Sequence, residues 1–265
     1  MKKKNLFIIA FISLILLICI FKWIDYLFTN NYLNSKLLDS EINKIETLKI
    51  KQNDIISSKR NNIENIFFLI NDCKEFGTLP FAGIARCAFV ATKILRTFVK
   101  DGIIDQTDYN LFFESINNVQ KKINNSLVNN KNNKNFFKNF GHLRPMTYSI
   151  SSQNYKEGFK NYFNTKNLKF KKTKKFEINM SKISKINKIF KKNNINCTAN
   201  NFFKFAKEAI FYREQAKLVF SRSIDLVFKE LIKLGSKIDI KRNDLEFVSI
   251  KDILNYYNNL DVYKL

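Results

Sequence analysis

Apolar residues along this chain recur every three or four positions in one segment after another, the period of a helix with one buried face. Leu37, Leu38, Ile42, Ile45 and Leu48 set the rhythm among alternating charges over residues 33–51, and Ile56, Ile63, Ile66, Phe67 and Ile70 repeat it over residues 55–74. Residues 76–105 are the best punctuated. Ile84, Ala88, Ala91, Leu95 and Phe98 form an apolar stripe, and Gly83, Ala85 and Cys87 are small enough for a neighbouring helix to come close. The opposite stripe of Arg86, Lys93, Arg96 and Lys100 reads as a solvated face. Gly77 is expected to close the preceding helix, Thr78 to cap the next, Pro80 to fall in its first turn and Gly102 to end it. Asp105 is expected to cap a helix reaching about Leu127, with Tyr109, Phe112, Phe113 and Ile116 inward. Helices resume at residue 181 with Ile183, Ile186, Ile189 and Phe190. They continue over residues 200–220 with Phe202, Phe205, Ala206, Ala209 and Ile210, and over residues 223–234 up to Gly235. A turn at Asn243 and Asp244 leads into a last helix over residues 250–257.

Two polar tracts interrupt the pattern: residues 129–139 (NNKNNKNFFKN) read as a loop or frayed helix end, and the lysine-rich residues 164–176 as a solvated loop, with contact to acidic lipid head groups or phosphate as the alternative. Between them lies FGHLRPMTY, residues 140–148, the least helical stretch, which contains the single histidine. At the start of the chain three lysines precede an apolar run, residues 5–21, flanked by Lys22, Trp23 and Tyr26. This reads as an uncleaved membrane-anchor helix, since no small-residue cleavage site follows it; a buried first helix of the core is the competing reading. The expected fold class is therefore all-α: a helical bundle-like domain over residues 33–257, preceded by one N-terminal hydrophobic helix within residues 1–30. The anchor predicts a single-pass membrane location, and its charge pattern leaves the side of the domain open, because Lys2 to Lys4 favour a cytoplasmic N-terminus while the basic downstream chain opposes export.

Composition supports the all-α reading. Six Gly and two Pro in 265 residues are too few for the turns of a sandwich or an alternating α/β fold, and 45% hydrophobic residues suffice for a core. The formal net charge of +23 permits anionic partners. Only seven of the 46 basic residues are arginine, however, and Asn and Ile abound, as in an AT-rich coding sequence; this pattern argues against nucleic acid as the partner. The cysteines at 19, 73, 87 and 197 stand alone, which fits neither a zinc site nor a disulfide framework.

No phosphate-binding loop, dinucleotide fingerprint, zinc-protease motif or nucleophile elbow occurs, so independent catalysis is not expected, nor a cofactor bound by this chain alone. His142 has Gly141, Leu143 and Arg144 as neighbours, with no orienting carboxylate among them, and reads as structural. Arg144, fixed by Pro145 and followed by Tyr148, suits a rigid anion clamp, or equally a pair with Glu208 or Glu214 inside a bundle. Arg213 and Glu214 are natural members of the same network.

Several blocks together resemble the helical linking segment of phosphoenolpyruvate synthase-like proteins, relatives of pyruvate phosphate dikinase and rifampin phosphotransferase. They are EFGTLPFAGIARCAFVATKILRTFV with the following GII, FGHLRPMTYSISSQNY, FFKFAKEAIFYREQAKLVFSRSIDLVFKEL and DLEFVSIKDIL, in the family's order over about residues 35–256. In that family the segment lies between an ATP-grasp domain and a swivelling phosphohistidine domain, neither of which is present here. The sequence departs from the family's pattern at Met146, where Gly is usual, and at Ser149, where Asp is usual. His142 matches the histidine of the GHLRP block, which is not the family's phosphate carrier. The resemblance implies a split or truncated phosphotransferase component, cytoplasmic, that docks separately encoded ATP-grasp and phosphohistidine proteins or an acceptor substrate through a polar cluster of Arg86, His142, Arg144, Tyr148, Arg213 and Glu214. The alternative is a membrane-tethered basic helical scaffold, or a gene remnant, with no part in phosphoryl transfer.

Overall fold

Asn61 and Asp105 each start a helix by the same device. The side chain accepts from the backbone N–H three residues on, and the carboxylate of that residue accepts from the cap's own N–H, so two otherwise orphaned donors are satisfied at once. The structure, a computed structural model, describes residues 37–129, 133–164 and 168–255; the apolar run at residues 5–21 lies outside the described residues. The elements are α1 (Leu37–Ser57), α2 (Asn62–Cys73), a π-helical turn (Lys74–Thr78), α3 (Leu79–Lys100), α4 (Gln106–Glu114), α5 (Val119–Asn129) and α6 (Lys134–Phe140). There follow α7 (Phe159–Tyr162), α8 (Met180–Lys192), α9 (Ala199–Ser236) and a 3-10 turn (Asp244–Phe247), with residues 250–255 again helical. No strand occurs among the described residues, and the fold is all-α.

The chain does not break at Gly77. The π-helical turn joins α2 to α3 in one helical run, Thr78 has helical dihedrals and makes no side-chain cap, and the Leu79 N–H reaches back to the Lys74 carbonyl. Widening the turn here lets the run pass Pro80, which lacks an N–H and crowds the carbonyl four residues before it. Gly77 serves packing instead: a Cβ there would stand 2.9 Å from Leu48 Cδ2 on α1 and 3.0 Å from Phe220 Cβ on α9. Gly102 ends α3 as expected, at φ +66°. The Ile103 N–H donates to the Phe98 carbonyl at 2.9 Å and the Gly102 N–H to Val99 at 3.1 Å, which closes the helix end.

Three further expectations are corrected. The polar tract at residues 129–139 is not a loop throughout, since α6 begins at Lys134 and buries Phe136 completely. The helix begun at Asp105 stops at Glu114, and α5 starts separately at Val119. The helices expected over residues 200–220 and 223–234 are one helix, α9, 38 residues and roughly 57 Å long. Thr198 caps its start by accepting from the Asn201 N–H.

Helix α9 packs along α1, α2 and α3 and organises the core. Its residues up to Phe220 contribute Phe202, Ala206, Ala209 and Phe220 to the main cluster with Leu48, Ile84, Ala88, Leu95 and Phe98; the remainder gives Val227 and Leu231 to a cluster with Ile55, Ile66, Leu69, Ile150 and Leu245. The continuous stretch Asn62–Lys100 is long and apolar enough to cross a membrane, at a mean hydropathy of 1.4, with 39% of that window buried inside the protein. In this fold it is a core element: Ile84, Cys87, Ala88, Ala91 and Leu95 lose all exposure, while Arg86, Lys93 and Arg96 line its open side.

Candidate functional site

Residues 141–158 form a loop whose ends are tied together. The Tyr155 N–H donates to the Leu143 carbonyl at 2.7 Å and the Lys156 N–H to Gly141 at 3.1 Å, as in a closed Ω-type loop. Gly141 is required where the loop leaves α6, because a Cβ would lie 2.4 Å from the Phe137 carbonyl oxygen. Ile150 plugs the loop into the second core cluster. Arg242 donates from Nε to the Ile150 carbonyl at 2.6 Å and from Nη2 to Ser152 at 3.1 Å, and its Nη1 meets Glu157 Oε2 at 2.9 Å. Glu246 accepts from the hydroxyls of Ser149 and Ser151 at 3.0 and 2.8 Å.

At the centre of the loop Arg144 turns inward. Its Nη2 is paired with Asp225 Oδ1 on α9, the two side chains being 3% and 1% exposed. Nη1 donates to the carbonyls of Ser152 at 3.1 Å and Ser149 at 3.4 Å, and the guanidinium lies 4.8 Å from the Phe228 ring centroid. Asn154 donates to the same Asp225 Oδ1 at 2.9 Å. Lys229 Nζ stands 2.7 Å from Asp225 Oδ2 in ion-pair contact, without the alignment of a hydrogen bond. Removing either partner of such a pair leaves an uncompensated buried charge.

His142 is fixed through Nε2, 2.9 Å from the Leu218 carbonyl of α9. Since a carbonyl only accepts, Nε2 carries the proton and Nδ1 is the acceptor. Burial pushes the imidazole pKa down to about 4, against the opposing pull of the Leu218 carbonyl and of Asp225. The ring is neutral at pH 7.

A cavity of about 300 Å³ opens beside this arrangement, lined by His142, Asp225, Arg222, Lys229, Lys138 and Lys156 with Ile56 and Phe137. An adjoining cavity of about 390 Å³ shares Ile56, Leu226 and Lys229 and adds Arg60, Lys233, Lys237 and Glu230. Glu230 is occupied: Asn62, Asn65 and Lys233 all donate to it.

The six residues singled out from the sequence do not gather into one cluster. Arg86 is exposed on α3. Tyr148 is 73% exposed at the rim of a separate apolar recess with Leu69, Ile70, Val227 and Phe228. Arg213 bonds its neighbour Glu214 through Nε at 3.1 Å and Nη2 at 2.6 Å, and this is the one hydrogen-bonded contact within the set among the described residues. Arg144 pairs with Asp225, not with Glu208 or Glu214. Sequence reading missed Asp225, Asn154, Arg242 and Glu246; a lone carboxylate at position 225 in the apolar run SIDLVF was the available signal.

Burial pushes the Cys73 and Cys87 thiols up to about 11, which suits packing rather than nucleophilic chemistry. Among the described residues no group of three or more His, Cys, Asp or Glu side chains is placed to hold a metal ion. No protein-family model, curated protein or solved structure matches the chain.

Proposed function

We propose that this chain is a non-catalytic helical component of a phosphoenolpyruvate synthase-like phosphotransferase. It docks separately encoded ATP-grasp and phosphohistidine proteins, or an acceptor substrate, and is held at a membrane by residues 5–21. The observation that supports this reading is the state of the GHLRP block. Its histidine proton is committed to the Leu218 carbonyl and its guanidinium to Asp225, so both side chains hold a fixed loop against α9 and neither is free to react. A fixed loop beside a basic cavity is a surface made for recognition.

The test is affinity purification of the tagged full-length chain from native membranes, with co-purifying proteins identified by mass spectrometry. Recovery of an ATP-grasp or phosphohistidine protein supports the split phosphotransferase and a cytoplasmic domain. Recovery of neither, with intact bait in the membrane fraction, removes that reading. It would favour the tethered basic scaffold, for which the exposed stripe of Arg86, Lys93, Arg96 and Lys100 offers a surface.

A further inference from the structure

We propose that the cavity between loop 141–158, the end of α1 and α9 binds a small phosphate monoester carrying at least one hydroxyl group. The inference stands apart from the docking reading, since it uses only the walls of the cavity.

Charge supplies the first part of the argument. Lys138, Lys156, Arg222 and Lys229 line the cavity, and the single carboxylate among its lining residues, Asp225, is already paired with the buried Arg144. Four cationic groups thus share the cavity with one carboxylate that is already paired. Lys138 and Lys156 are exposed and have no carboxylate partner among the described residues. Arg222 is half-buried and reaches only amide oxygens, Gln52 Oε1 at 3.5 Å and Asn53 Oδ1 at 3.0 Å. Burial pulls its pKa down, the mark of a desolvated cation that lacks an anion.

Geometry selects the anion. The cations come from α6, the loop and two turns of α9, so they converge from several directions, which suits a tetrahedral dianion with three terminal oxygens better than a planar carboxylate. A volume of about 300 Å³ fits a small molecule. The inner wall differs from the rim. Asp225 Oδ2, 2.7 Å from Lys229 Nζ but without an aligned hydrogen bond, and Nδ1 of neutral His142 are acceptors, so the wall can take hydroxyl donors where the rim takes negative charge. A hydroxylated phosphate ester meets both demands.

The source is either a soluble ester or a phosphate-monoester lipid headgroup. The test titrates the full-length chain, in non-ionic detergent, with glycerol 3-phosphate by calorimetry, then repeats the titration in mixed micelles with and without lysophosphatidate, which keeps one free hydroxyl beside its phosphate. The expected result is saturable one-to-one binding that the double variant K138Q/K156Q weakens by about tenfold or more, as loss of two charge-assisted contacts predicts. The control K185Q/K188Q removes two exposed lysines from α8 and should leave binding unchanged. Competition by lysophosphatidate that K138Q/K156Q abolishes assigns the headgroup; its absence assigns the soluble ester. No saturable binding, or equal weakening by both double variants, overturns the proposal, because the effect would then be the general attraction of a +23 chain.

Discussion

Truncating Arg144 would strand Asp225, 1% exposed, with the partly exposed Lys229 as its remaining cation. Arg144→Ala is expected to cost about 3 kcal/mol in urea unfolding, whereas R144M/D225L should recover most of it because both charges leave together. A double variant no more stable than the single would refute the buried-pair account. His142 adds a pH dependence. Its imidazole titrates at 6.5 in an unfolded chain and about 4 in the fold, so above pH 7 it is neutral in both states. As pH falls from 6.5 toward 4 only the unfolded chain takes up the proton, and stability is lost progressively, on the order of 3 kcal/mol. His142→Gln should therefore melt with a shallower pH dependence across that window; an unchanged slope would exclude the ring as its source. The thiols make a third prediction. With pKa values near 11, Cys73 and Cys87 should alkylate at pH 8 about a hundredfold more slowly in the native than in the denatured protein, read by mass spectrometry of the digest. At this scale the sequence exposed Arg144 as special through Pro145, but its partner lies 81 positions away, and no local spacing points to it.

Helix ends were legible wherever they depend on neighbouring residues, and misread wherever a distant helix intervenes. The Asp105 cap and the Gly102 stop are local devices, and both are in place. Gly77 carries the same chemical suggestion of a stop, yet its missing Cβ makes room for Leu48 and Phe220 from two other helices. The break expected near residue 221 failed for a similar reason. Ser223 looks like a fresh helix start, but its hydroxyl accepts from Gln52 Nε2 of α1 at 2.7 Å, and the same nitrogen donates to the Val219 carbonyl at 2.9 Å. That buried amide satisfies the polar middle of α9 and lets the helix run on. Gly77→Ala distinguishes the two roles of that glycine. An alanine inside an unconstrained helix gains about 1 kcal/mol over glycine, whereas overpacking at 2.9 Å costs about 1–3 kcal/mol. The variant is expected to lower the melting temperature; a rise would show that the contact relaxes freely.

For the whole molecule, the fold class was readable from period and composition, since neither depends on which helices meet. The site was not, because it is assembled by α9 with a loop that has no period of its own. All three hydrophobic clusters include or meet residues of α9, the third, around Phe136 and Phe140, through Leu218, so the described domain should unfold in a single transition, with helix content and Cys73 accessibility changing together in urea. Separate midpoints would mean that the clusters melt independently. The position of α9 in the chain also governs the order of events during synthesis. Residues 37–100 emerge with the apolar stripe of α3 complete and only α1 to cover part of it, while α9, its main partner, begins at Ala199. At ribosomal speeds of about 5–20 residues per second, that stripe waits on the order of ten seconds for its cover. The nascent chain is thus expected to expose this stripe to chaperones until residues 199–236 have been made.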